Sequence, residues 1–82
     1  MNVNEIREII EKKDLFKREN DDYVKTYEYT VDVQINGGYD YYNIQKIEMK
    51  EDEMVLYSPP TIGEETVKYK DIDKFRLINF IF

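Results

Sequence analysis

Apolar and polar residues alternate most clearly between residues 23 and 35, in the sequence YVKTYEYTVDVQI. The apolar members of this alternation are Tyr27, Tyr29, Val31, Val33 and Ile35. A period of two predicts a β-strand with one face in water, and Glu28 and Asp32 fall on the wet face. At roughly 3.3 Å per residue the strand would span about 43 Å. That length exceeds the width of a domain of 82 residues, so we expect the strand to bend or split.

A helix is predicted over residues 2 to 13, where apolar residues recur at spacings of three and four. Asn2 is a favourable N-cap, and Glu5 stands three positions later, as in a capping box. The sequence KRENDD follows at residues 17–22 and is entirely polar. We interpret it as a solvated connection.

Asn36-Gly37 predicts a type I′ hairpin turn, because both residues readily adopt positive φ. A second strand should then run back antiparallel from Tyr39 to Lys50. Midway along this strand the apolar residues shift from one face to the other. This shift predicts a β-bulge at residues 43–46. The remaining predicted elements are a turn at 50–53, the strands MVLYS and ETVKY separated by a proline-containing loop at 58–63, a short turn at Asp71 and a last strand, KFRLINFIF.

These elements predict a single domain, residues 1–82, of the α+β class. A short N-terminal helix at 2–13 precedes about five antiparallel strands within 23–82, which form a bent sheet or a small barrel. The order MVLYS…ETVKYKDIDKF is similar to the late strands of SH3-like and Sm-like small barrels. That resemblance implies a fold and no particular function.

Charge excludes several classes of function. The chain has 12 basic and 18 acidic residues and a net charge of −6, which opposes direct binding to nucleic acid or to an anionic membrane.

Cysteine and histidine are both absent, so catalysis is not expected, and neither a cofactor nor a zinc or copper site is expected. We find no targeting segment and no apolar run that approaches a membrane span. The prediction is a soluble, cytoplasmic protein that is not an enzyme.

Tyrosines and carboxylates remain as candidates for recognition. Tyr41 and Tyr42 are adjacent in a predicted strand and must point to opposite faces, so at least one ring should lie outside the core unless a bulge turns it inward. Simple cross-strand packing would also explain the tyrosines. An exposed ring among acids suits a basic protein partner better than it suits a phosphate backbone. The predicted partner-binding residues are Asp21, Asp22, Glu28, Asp32, Tyr39, Asp40, Tyr41, Tyr42, Glu51, Asp52 and Glu53.

The opening MNVNEIREIIEKKD resembles the start of small, acidic, phage-encoded anti-CRISPR proteins that block Cas9. Those proteins begin with a similar Met-Asn-aliphatic-Asn-acidic helix. The resemblance implies an acidic surface that mimics DNA and occupies the basic DNA-binding cleft of a host defence nuclease.

Two hypotheses follow. In the first, the chain is a non-enzymatic inhibitor that binds a host protein at its basic, nucleic-acid-binding surface. In the second, it is a structural or adaptor module that self-associates through a strand edge or through the apolar tail Phe80-Ile81-Phe82, and it then forms a homo-oligomer.

Overall fold

The computed structural model describes residues 1–26, 30–58 and 63–80, and the side chain of Tyr39 lies outside the described part. These described ranges form one α-helix, eight strands and one 3-10 turn. These are α1 (Val3–Lys13), β1 (Phe16–Glu19), β2 (Asp22–Lys25), β3 (Thr30–Ile35), β4 (Tyr39–Tyr41), β5 (Lys46–Met49), β6 (Glu53–Ser58), β7 (Gly63–Lys68), the 3-10 turn (Tyr69–Asp71) and β8 (Phe75–Phe80). The predictions for Tyr27, Tyr29, most of the 58–63 loop and the last two residues fall outside the described residues.

The helix forms where the sequence predicts it. The side chain of Asn2 accepts a hydrogen bond from the backbone N–H of Glu5, and the carboxylate of Glu5 accepts one from the N–H of Asn2. This reciprocal capping satisfies two donors that a helix start otherwise leaves unpaired. Ile6 and Ile10 are buried on one face, which packs toward β8 and β1.

The strands form two antiparallel sheets. The larger has the order β1-β2-β5-β6-β7, and the smaller has the order β4-β3-β8. The long alternating segment splits as its length required, with β2 in the larger sheet and β3 in the smaller. The α+β prediction with a bent antiparallel arrangement is confirmed, and within the described residues the sheets do not close into a barrel.

Two sequence predictions need correction. Residues 17–22 are not a simple connection, because β1 and β2 pair as a hairpin that turns at Asn20, where φ is 59°. The polar composition concealed this hairpin because Phe16 is the only buried residue of β1, an edge strand. The second strand does not continue through a bulge either. It ends at Tyr41 in the smaller sheet and resumes at Lys46 in the larger one.

Residues 42–45, which we call the crossover, carry the chain between the two sheets. Asn43 has a φ of 53°, in the left-handed region that asparagine tolerates better than most residues. The N–H of Ile44 donates to the carbonyl of Val31 in the smaller sheet, at 2.8 Å. The N–H of Gln45 donates to the carbonyl of Tyr57 in the larger sheet, also at 2.8 Å. The crossover therefore bonds to both sheets.

Large apolar side chains between the helix and the two sheets make one core. The most deeply buried are Tyr23, Ile6, Ile10, Ile44, Ile47, Met54, Leu56, Ile72, Val31 and Val33. Every buried side-chain nitrogen or oxygen in the described residues has a hydrogen-bond partner. A small core of this kind depends on complete polar satisfaction, because each unpaired buried group would cost about 1–3 kcal/mol.

Asn36 joins the β3–β4 turn to the start of β8. Asn36 and Gly37 have φ of 57° and 74°, and the N–H of Gly38 donates to the carbonyl of Ile35, as the predicted type I′ turn requires. The Asn36 side chain donates to the carbonyl of Asp71 at 2.8 Å. Its oxygen also accepts from the backbone N–H groups of Asp73 and Lys74, so one side chain organises two loops.

We expect Asn36→Ala to lower the free energy of unfolding by about 2 kcal/mol, measured by chemical denaturation. Roughly half of this loss is the side-chain hydrogen bonds and half is the strain of alanine at positive φ. Asn36→Gly is the matched variant, since it removes the same bonds without the strain, and it should lose about 1 kcal/mol. Equal losses for the two variants would contradict the strain component.

Candidate protein-binding site

Strand register separates the predicted partner-binding residues into two groups. The turns β1–β2 and β5–β6 lie at one end of the larger sheet, where the carboxylate of Asp22 accepts a hydrogen bond from the N–H of Met49 at 3.1 Å. The crossover and the pair Ser58↔Gly63 lie at the other end. The six residues of β6 connect the ends, a distance of about 17 Å at roughly 3.3 Å per residue.

The first end has mixed charge. Asp21, Glu51 and Asp52 are exposed there, and Glu53 is half-buried. Asp21 lies 3.8 Å from the guanidinium of Arg18. A shallow groove runs between the β5–β6 turn, the 3-10 turn and the helix start, and two lysines offset its two carboxylates. Its lining residues are Met1, Asn2, Val3, Glu51, Asp52, Lys68, Tyr69 and Lys70. This end therefore lacks a uniform acidic surface.

The second end has an apolar cleft of about 270 Å³ that is lined by residues from both sheets. Tyr41 and Tyr42 line it from the smaller-sheet side, and Leu56 lines it from β6. Two exposed carboxylates, Asp40 and Glu65, belong to the same lining. The remaining lining residues are Ile44, Ser58 and Gly63. We call this feature the tyrosine cleft.

Tyr42 presents its ring to solvent from a fixed backbone. The residue is 60% exposed, the highest value among the large hydrophobic residues that the structure describes as exposed. The buried hydroxyl of Ser58 lies 2.7 Å from the carbonyl of Tyr42 and 3.1 Å from that of Asn43, and it donates to this pair. The next N–H, that of Asn43, donates to the carboxylate of Asp32 at 2.9 Å. These bonds hold the peptide group that follows Tyr42 at both its carbonyl and its N–H.

Asp32 requires a correction, because the alternation placed it on a wet face. It is buried, at 6% exposure, since the crossover lies against that face of β3 and supplies its hydrogen-bond donor. Its carboxylate is thus directed into the protein and does not contribute to the acidic surface. Glu28 and the side chain of Tyr39 lie outside the described part of the chain.

The predicted partner-binding residues did not include Glu65, Leu56 or Ser58. Glu65 and Leu56 are cross-strand partners, and their position at the cleft follows only from the β6–β7 register. Ser58 is the only serine in the chain, which distinguishes it in the sequence but does not reveal its partners.

Tyr57 lies on the outer face of the larger sheet, and neighbouring carboxylates raise the pKa of its hydroxyl. Its hydroxyl donates to Glu48 at 2.8 Å, and the ammonium of Lys46 lies 5.5 Å from its ring centre. The hydrogen bond to Glu48, then burial, then the charges of Glu48 and Glu64, raise the pKa of Tyr57 to about 12. Burial is also the main reason that the pKa values of Tyr23 and Tyr69 are raised.

Within the described ranges, no group of three or more histidine, cysteine, aspartate or glutamate side chains could hold a metal ion. None of the helices in that part of the chain combines the length and the apolar character needed to span a membrane. Comparison with protein family models, with curated proteins and with solved structures finds no match to this chain. The geometry of the site therefore carries the functional argument.

The Tyr57–Glu48 bond predicts how stability depends on alkaline pH. The unfolded chain loses this proton near pH 10, whereas the folded chain keeps it to about pH 12. The stabilisation is complete below pH 10 and is lost as the pH rises toward 12, so the free energy of unfolding should fall across this window.

Glu48→Gln should move the pKa of Tyr57 down toward 10, because the amide carries no charge to oppose the phenolate. Carbon-13 NMR of labelled tyrosine resolves this titration from those of the other rings. Asp52→Asn, a charge removal in the β5–β6 turn, is the control and should leave the Tyr57 pKa nearly unchanged. An unaltered Tyr57 titration in Glu48→Gln would contradict the assignment.

Proposed function

We propose that this chain is a non-enzymatic protein-binding domain that inhibits a nucleic-acid-binding protein by occupying its basic surface. The tyrosine cleft, with Tyr42 exposed on a fixed backbone, is the observation that supports this proposal most. The proposed setting is the cytoplasm of a bacterial cell. The helix resemblance to phage-encoded anti-CRISPR proteins makes a host defence nuclease the first partner to test.

The cleft has the composition of a protein-binding anchor. Binding energy at protein interfaces concentrates in a few aromatic and arginine residues that pack in desolvated pockets. Tyr42 supplies such a ring, and Leu56 and Ile44 supply an apolar floor. A volume of about 270 Å³ accommodates one or two side chains, and it lies below the usual range for small-molecule sites, about 300–1,000 Å³.

Charge favours a basic partner. The carboxylates of Asp40 and Glu65 stand beside the aromatic lining, so a lysine or arginine of the partner would contact an acid and a ring together. One oxygen of Asp40 accepts from the side-chain amide of Gln34 at 3.0 Å, which orients the carboxylate. The net charge of −6 would also accelerate association with a positively charged surface. A partner held in this way cannot use the same surface to bind DNA or RNA.

The test captures partners from a bacterial lysate on the immobilised chain at low salt and challenges them with excess duplex DNA. We expect a nucleic-acid-binding protein to be retained, to elute as salt rises and to be displaced by DNA. The retained protein is then purified on its own. Its affinity for labelled duplex DNA should fall when this chain is added. Tyr42→Ala should weaken the complex by about 30-fold, the effect of truncating an interface anchor worth about 2 kcal/mol.

A matched pair of charge variants locates the contact. One double variant removes two charges at the cleft, through Asp40→Asn and Glu65→Gln. The other removes two charges at the opposite end, through Glu51→Gln and Asp52→Asn. The cleft variant should weaken binding at low salt by about threefold to tenfold, and the other should have a smaller effect. Equal effects of the two variants, or a partner that duplex DNA does not displace, would argue against the proposal.

A further inference from the structure

Strand β7 forms an open edge of the larger sheet. It pairs with β6 along all six of its residues, and among the residues that the structure describes no strand lies on its other side. Side chains on both of its faces are exposed except for that of Val67, which is half-buried. The opposite edge, β1, is not open in the same way, because it contacts the helix. Arg18 of that strand lies 3.7 Å from Glu11 of the helix.

The hydrogen-bond pattern identifies the free backbone groups of β7. The N–H of Tyr69 donates to the carbonyl of Asp52, and the pair Glu53↔Lys68 follows directly in the ladder. In an antiparallel ladder, hydrogen-bonded and non-bonded pairs alternate. Residues 63, 65 and 67 therefore direct their backbone groups toward β6. The N–H and C=O groups of Glu64, Thr66 and Lys68 point away from the sheet, and among the described residues they have no strand partner.

We propose that the β7 edge pairs antiparallel with the β7 edge of a second copy of this chain. The twofold axis passes between the two Thr66 residues, and Glu64 of each copy stands opposite Lys68 of the other. The three pairs exchange roughly six backbone hydrogen bonds in total. This association does not depend on the proposed binding to a basic protein.

The pattern of charges selects this register and this occupant. Glu64, Thr66 and Lys68 share one face, so the register that pairs Thr66 with its own copy sets an acid opposite a base twice. Shifting by one residue would pair outward-pointing groups with inward-pointing ones and leave the edge unbonded. Shifting by two residues would replace both Glu–Lys pairs with contacts to threonine. The strand is therefore complementary to itself.

The test is sedimentation equilibrium of the full chain from about 10 μM to about 1 mM, where weak complexes are populated. The salt concentration is about 0.15 M, at which the Debye length of about 8 Å screens the long-range repulsion between the two copies. We expect a reversible monomer–dimer equilibrium. A chain that remains monomeric throughout this range would overturn the proposal.

Thr66→Pro removes the central outward N–H, and proline is tolerated on an edge strand when its nitrogen faces solvent. This variant should raise the dimer dissociation constant by at least about tenfold, through loss of the central hydrogen bonds. Its unfolding midpoint at about 1 μM, where the monomer predominates, verifies that the fold is retained.

Charge exchange tests the register independently. Glu64→Lys places lysine opposite lysine twice and should weaken the dimer by about tenfold, as should Lys68→Glu. Combining both substitutions restores opposite charges across the edge and should recover the dimer. Lys68 also faces Glu53 within the chain, so the unfolding midpoint of each variant is compared as well. A dimer that survives Thr66→Pro, or that the combined exchange fails to restore, would place the interface elsewhere and overturn the proposal.

Discussion

A buried carboxylate holds the start of the segment that joins the two sheets. Asp32 lies within the smaller sheet and accepts a hydrogen bond from the N–H of Asn43, at the point where the chain leaves that sheet for the larger one. An unpaired carboxylate at this depth would be costly, and so would an unpaired N–H. The crossover satisfies both. Its left-handed residue, Asn43, also directs Ile44 into the core and leaves Tyr42 outside.

The parts of the fold that depend on local sequence were predictable. The capping box at Asn2 and Glu5 and the Asn36-Gly37 turn each act within a few residues, and both form as expected. The splitting of the long alternating segment followed from its length alone. Strand β1 was missed because an edge strand with one buried residue has almost no apolar period.

Other features depended on residues far apart in the sequence. The burial of Asp32 requires a donor eleven positions away, and the support of Tyr42 requires the hydroxyl of Ser58, sixteen positions away. Of the predicted acidic residues, Asp40 lies at the tyrosine cleft and the Asp21 and Glu51 turns lie at the opposite end of the sheet. Strand register places these acidic residues at opposite ends of the sheet. Register cannot be inferred from the alternation of apolar and polar residues within single strands. Of the predicted partner-binding residues whose side chains the structure describes, Asp40, Tyr41 and Tyr42 line the tyrosine cleft.

The crossover links architecture to the proposed site, because the bonds that hold the two sheets together also fix the backbone beneath the exposed Tyr42 ring. Amide hydrogen exchange at Asn43 tests this claim most directly. If the crossover belongs to the cooperative core, the N–H of Asn43 should exchange as slowly as the amides of Val33 and Ile47, which lie in the strand ladders, through global unfolding. Rapid exchange at Asn43, with the strands still protected, would show that the crossover opens locally and would contradict the account.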